Sequence, residues 1–217
     1  MSGLYDLHTH SILSDGEMLP IELIRRMAVA GYTTVAITDH VDASNADSVL
    51  SNLAMVRESA KLFGVRLLCG VEITHVPPAQ IAGLARSAKS AGADIVVVHG
   101  ETPVEPVAEG TNHAACTCKY VNVLAHPGLI SLKDAEAAVK NGIALEITSR
   151  GGHNRTNGHV ALVAREAGCQ LVVDSDAHAP HDILDKRAKI LVARGAGLSQ
   201  KECKQVISLN IDQLLGS

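Results

Sequence analysis

Side chains that can ligate metal recur along the chain in seven tight groups. They are His8 and His10 in DLHTHSILSDG, Asp39 and His40 in ITDH, Glu72 in CGVEIT, His99 in VVVHGE and His126 in LAHPG. Glu146 precedes Ser149 and Arg150 in LEITSR, and Asp174, Asp176 and His178 fall in VVDSDAH. A lone His after an apolar run is ordinarily a loop residue or a hydrogen-bonded core histidine. Seven such groups in succession are not accounted for that way. In His8-Thr9-His10, alternate strand residues point the same way, so two imidazoles can share one ion. Imidazole with carboxylate suits Zn²⁺, Mn²⁺ or Fe²⁺. The set contains no Cys and exceeds the four ligands that close a structural zinc site. Several such ions in one cleft make a centre for phosphoester cleavage.

The elements that position these groups are short. Apolar runs cover 4–7, 34–37, 66–71, 94–98, 121–124, 143–147 and 171–173. Helix-like stretches lie between them at 20–30, 48–63, 78–91, around 110–119, 131–141 and 158–167, with a closing helix over 198–215. Gly31, Gly64, Gly92, Gly142 and Gly168 follow helical stretches just ahead of the next run, where a left-handed helix end favours Gly. Repeated β-α units predict a parallel sheet. Seven of them favour an α/β barrel closed on itself, within a single domain over 1–217. In such a barrel the strands' C-terminal ends share one mouth, where active sites are built. Every polar group named above falls at or just after a strand end, including six of the eleven histidines, although Glu146 need not be a ligand.

Composition narrows the function. The chain has 217 residues, no Trp, one Phe and three Tyr, and a net charge of −4. Both charge and aromatic scarcity argue against a broad nucleic-acid surface. Five Cys in a chain of this length do not form a disulfide framework, and Cys116-Thr-Cys118 reads as ordinary reduced thiols. No basic leader and no membrane-length apolar run is visible, which points to a cytoplasmic protein without membrane association. Oligomeric state is not legible.

The motifs DLHTHSILSDG, ITDH, GVEI, VVHGE, LAHPG and DSDAH, in this order from Asp6 to His178, resemble those of the polymerase and histidinol phosphatase (PHP) family. The resemblance implies a distorted seven-stranded (β/α)7 TIM-like barrel. It also implies two to three divalent ions (Zn, Mn or Fe) in a multinuclear centre. The first ion would take His8, His10, Glu72 and Asp176. Glu72 would bridge to a second ion on His99 and His126, and the third would take Asp15, His40 and His178. Asp15 stands where some members of the family have His, which makes the third site harder and more anionic.

The implied activity is hydrolysis of a small phosphomonoester, histidinol phosphate or a related metabolite, by a metal-activated hydroxide. Glu72, Asp176 and His178 would carry the catalysis, the third ion, His178 or His181 would serve the leaving alkoxide, and His181 is also a candidate phosphate contact. Asp39 and Asp174 either orient ligand imidazoles or serve local turns. Arg150, Arg155 and His153, in SRGGHNRTNGH, are candidates for phosphate binding, against the alternative of a solvated loop. Two other function classes remain: a 3′-5′ nuclease or nucleotide phosphoesterase, and a non-catalytic metal-binding regulator.

Overall fold

The computed structural model describes residues 3–216. Its strands are β1 (Leu4–Asp6), β2 (Tyr32–Ile37), β3 (His40–Val41), β4 (Arg66–Ile73), β5 (Ile95–His99), β6 (Val123–Ala125), β7 (Ala144–Thr148) and β8 (Leu171–Asp174). The short β3 resumes the course of β2 after a break at Thr38 and Asp39 and pairs with β4. The sheet therefore runs β1-β2-β4-β5-β6-β7-β8, all parallel, as a nearly closed barrel of seven strands.

Alternation along the strands stacks a polar layer on an apolar one. Tyr5, Ala36, Leu68, Ile95, Val97, Val123, Ala144 and Val172 fill the barrel interior, and Ile211 plugs its base. Two or four residues further along the same strands, on the same face, come Glu72, His99, Glu146 and Asp174. The opposite faces, such as Val35, Leu67, Val71, Val96 and Leu145, pack under the helices. These are α1 (Pro20–Val29), α2 (Ala46–Met55), α3 (Arg57–Leu62), α4 (Pro78–Ser90), α5 (Thr111–Cys116), α6 (Leu132–Asn141), α7 (Asn157–Ala167), α8 (Lys186–Gly195), α9 (Gln200–Ile207) and α10 (Ile211–Leu215).

Three helical expectations need correction. The stretch 48–63 is two helices, because Val56 leaves helical geometry at φ −98° and ψ 0°. The closing stretch 198–215 also divides, at Asn210, whose side chain caps α10 by accepting from the Gln213 N–H. Helix α8 was not anticipated, although Asp185 caps it, accepting from the Ala188 N–H at 2.7 Å.

The barrel's seam lies between β1 and β8. One bridge, Thr9 to Ala177, joins the two chains at the mouth. There the His10 N–H donates to Ala177 O at 2.9 Å and the Asp176 N–H to His8 O at 3.0 Å. Below it, side chains replace the missing ladder. Asp174 Oδ1 accepts from the Leu7 N–H at 2.8 Å, and Asp6 accepts from the Ser175 N–H at 3.2 Å. The fully buried Lys189, from α8, donates to Tyr5 O and lies 3.9 Å from Asp174 Oδ1. Its ammonium sits 3.8 Å from the centre of the Tyr5 ring.

All five cysteines are free. Burial pushes the Cys69 and Cys169 thiols up to about 11, so they are protonated and unreactive near neutrality. Among the described residues, no helix is long and apolar enough to cross a membrane.

Candidate metal centre

The strand ends bring the predicted residues together at the mouth. The ligand atoms of His8, His10 and Glu72 lie within 4.8 Å of one another, as do those of His10, Asp15, His40 and His178. A third such group joins His99 and His126 to His153. Asp176 completes the first, with Oδ1 3.3 Å from His10 Nε2 and 3.7 Å from His8 Nε2. Glu72 is central. Its Oε2 is 3.3 Å from His8 Nε2, 3.5 Å from His10 Nε2 and 2.8 Å from His40 Nδ1, and its Oε1 is 3.6 Å from His126 Nε2.

Hydrogen bonds fix which nitrogen of each imidazole is free. His8 donates from Nδ1 to Glu146 Oε1 at 2.7 Å, His40 from Nδ1 to Thr74 Oγ1 at 2.7 Å, and His178 from Nδ1 to Asp176 O at 2.9 Å. Each turns its Nε2 toward a carboxylate: Glu72 for His8, and Asp15 for His40 at 3.6 Å and for His178 at 3.3 Å. Atoms bound to one ion at 2.0–2.2 Å in a tetrahedron lie about 3.3–3.6 Å apart. His8 Nε2, both ring nitrogens of His10, both oxygens of Glu72, His126 Nδ1 and Asp176 Oδ1 are buried without hydrogen-bond partners. Each such atom would cost about 1–3 kcal/mol. Their spacing and chemistry fit divalent cations.

Electrostatics agree. Burial opposes the charge on Glu72, but His8 and His40 overcome it and hold the carboxyl well below its usual range. Burial likewise works against protonated His40, yet Glu72 and Asp15 lift its pKa to about 9. Asp176 goes the other way: burial, reinforced by Glu72 and Glu146, pushes it up to about 7.

Several supporting roles emerge. Glu146 lies close to His8 and His126, but both its oxygens take protein donors: His8 Nδ1 and, at 2.8 Å, the His126 N–H. It thereby orients the His8 imidazole and the His126 backbone. Asp39 accepts from Ser11 N–H, Ser11 Oγ and Ser14 Oγ at 2.7–2.8 Å, holding the loop that carries Asp15 and touching no imidazole by hydrogen bond. Asp174 serves the seam. Among the described residues only His75, His126 and Asp176 have positive φ without being Gly, at 53°, 25° and 52°, and all three stand at this mouth. Such backbone strain persists where surrounding contacts dictate it, often at functional sites. Gly128 serves the same corner: at φ +61° a Cβ would lie 1.9 Å from Glu101 O.

The phosphate-binding candidates divide. His153 is buried in the His99 and His126 group. Arg150 places Nη1 3.3 Å from Asp182 Oδ2, which also accepts from the His178 and Ala179 N–H groups. Arg155 is exposed, and the His181 side chain, 82 % exposed, lies 3.5 Å from Asp182. Neither is brought into the groups around Glu72. Glu105, not singled out in the sequence, lies within 3.2–3.3 Å of His75, His99 and His153.

A family model described as RNase P subunit p30 matches residues 3–217. The chain belongs to the RNase P subunit p30 family. This barrel family is related to the PHP phosphoesterases. An uncharacterized protein of Methanocaldococcus jannaschii is 46 % identical over 205 residues, 94 % of each chain. A relative in Caldanaerobacter subterraneus subsp. tengcongensis, named a probable phosphatase, is 30 % identical over 198 residues, 82 % of this chain and 77 % of its own. Among solved structures, an archaeal ribonuclease P complex with mature tRNA contains a chain of the same fold, with TM-score 0.73 and 15 % identity. That match covers 98 % of the p30-family chain and 90 % of the other. Histidinol phosphate phosphatase of Lactococcus lactis, complexed with zinc, L-histidinol and phosphate, also shares the fold, with TM-score 0.63, 15 % identity, and 90 % and 94 % of the chains covered.

Proposed function

We propose that this member of the RNase P subunit p30 family is a metal-dependent phosphoesterase acting on a small phosphomonoester, histidinol phosphate or a related metabolite. The observation that carries the reading is the buried, otherwise unpartnered ligand set around Glu72. The relative named a probable phosphatase and the zinc-bound histidinol phosphate phosphatase of like fold support it. His8, His10, Glu72 and Asp176 would hold one ion, Glu72 with His99 and His126 a second, and Asp15, His40 and His178 a third. When bound, Zn, Mn or Fe ions acidify water and neutralise phosphate charge. The chain's residues do the rest. Glu146 keeps the His8 proton on Nδ1, and Asp176 O does the same for His178. Asp182 takes one end of Arg150, whose other N–H groups are left for a phosphate oxygen. His178, within the Asp15 group, or the exposed His181 beyond it would serve the leaving alkoxide as proton donor.

The family match and the ribonuclease P likeness favour a second reading, a nuclease or a nucleic-acid-associated role. A net charge of −4 weighs against a broad nucleic-acid surface. Phosphate release should be measured from histidinol phosphate, nucleoside monophosphates and sugar phosphates, with Mn²⁺ or Zn²⁺ and a chelated control. In parallel, single-stranded DNA and RNA should be assayed for shortening. Metal-dependent release from one monoester well above the rest is expected. Shortening of nucleic acid without monoester turnover would transfer the assignment to a nuclease. Neither activity with ions bound would leave the non-catalytic metal-binding role.

A further inference from the structure

Resting on the metal-centre reading above, we propose that the ion at His99 and His126 has two further ligands, His153 and Glu105. Neither belongs to the nine residues that the motifs single out. His153 comes from the turn after β7, and Glu105 from the loop between β5 and α5.

The geometry is that of neighbours around one cation. Glu105 Oε2 lies 3.2 Å from His99 Nε2, and Glu105 Oε1 lies 3.3 Å from His153 Nε2. These are the separations that two ligand atoms on one ion adopt, about 3.3–3.6 Å for bonds of 2.0–2.2 Å. His99 Nδ1 lies 3.2 Å from Gly100 O, which can only accept, so the ring proton is on Nδ1. A neutral His99 therefore turns an Nε2 lone pair toward a carboxylate oxygen. That contact is repulsive unless a cation lies between the two atoms. His153 is more than nine-tenths buried. Its ring centre is 4.3 Å from that of His126.

The two elements are also fitted to each other. Gly152, at φ +89°, leaves room for Val104, whose Cγ1 would lie 3.3 Å from a Cβ at that position. Val104 and Gly152 directly precede Glu105 and His153, so this contact sets both ligands in register. His75 Nε2 also lies 3.3 Å from Glu105 Oε2. A set of three imidazoles and a carboxylate suits zinc or iron. Unlike Glu72, Glu105 is partly exposed and borne on a loop, so an incoming phosphate oxygen can replace it.

The test is metal binding by the whole chain, not activity. Metal-stripped wild type, His153→Ala and Glu105→Gln are titrated with Zn²⁺ against a chromogenic chelator, and bound equivalents are counted by elemental analysis. Both variants should bind one equivalent roughly ten- to a hundredfold more weakly than wild type. The remaining equivalents should be unchanged, which also reports that the barrel is folded. The proposal is overturned if either variant keeps every equivalent at wild-type affinity, or if either weakens all equivalents alike. A wild-type chain that binds no ion would instead overturn the metal centre itself.

Discussion

Glu72→Gln is expected to lower phosphoesterase turnover roughly a thousandfold, about 4 kcal/mol of barrier. The carboxylate is fully buried and central, with His8, His10, His40 and His126 all 2.8–3.6 Å from its oxygens. Glutamine preserves volume but removes the negative charge that two ions would share. An amide also offers a metal only one oxygen, where the carboxylate offers two. Barrel packing under Glu72 comes from Leu68 and the other interior residues, which the variant leaves in place. The circular dichroism spectrum should therefore match wild type while phosphate release collapses. Turnover within tenfold of wild type would remove Glu72 from the bridging position.

The second large effect concerns stability rather than chemistry. Lys189→Met should reduce the free energy of unfolding by about 3–5 kcal/mol, the usual consequence of removing one partner of a buried ionic group. Burial presses Lys189 toward its neutral form and Asp174 and Asp6 toward theirs. The ammonium keeps this seam balanced by facing Asp174 and the Tyr5 carbonyl and ring. Methionine fills similar space and leaves two carboxylates without their cation. Adding Asp174→Asn to Lys189→Met should restore part of the loss, since an amide oxygen can still accept from the Leu7 N–H. Denaturant unfolding of wild type, Lys189→Met and the double variant checks both statements. A loss below about 1 kcal/mol in Lys189→Met would mean that the seam does not depend on its charge.

What the sequence made legible was what repeats. Short apolar runs, with Gly at the helix ends before them, marked the strands, and strand ends in a barrel share one mouth. Residues as far apart as His8 and His178 could therefore be placed together before any coordinates. Three kinds of feature escaped. Lys189 looks like any helical lysine, because its burial depends on α8 crossing the open seam. Glu105 sits in a loop without periodicity, and only Val104 against Gly152 sets its place. The positive φ of His126 and Asp176 is imposed by tertiary contacts, such as the Asp176 N–H donating to His8 O, and no residue type announces it. His153 reads in the sequence as a phosphate contact of its Arg-bearing loop, and the fold sets it beside His99 and His126.

The central claim is that catalysis needs more than one ion on this ligand set. The most direct measurement is back-titration of metal-stripped protein with Mn²⁺ while phosphate release and bound metal are followed together. Activity should stay near background through the first equivalent and rise as the second binds. Full activity in the stripped protein, or activity already saturated at one equivalent, would contradict a multinuclear centre.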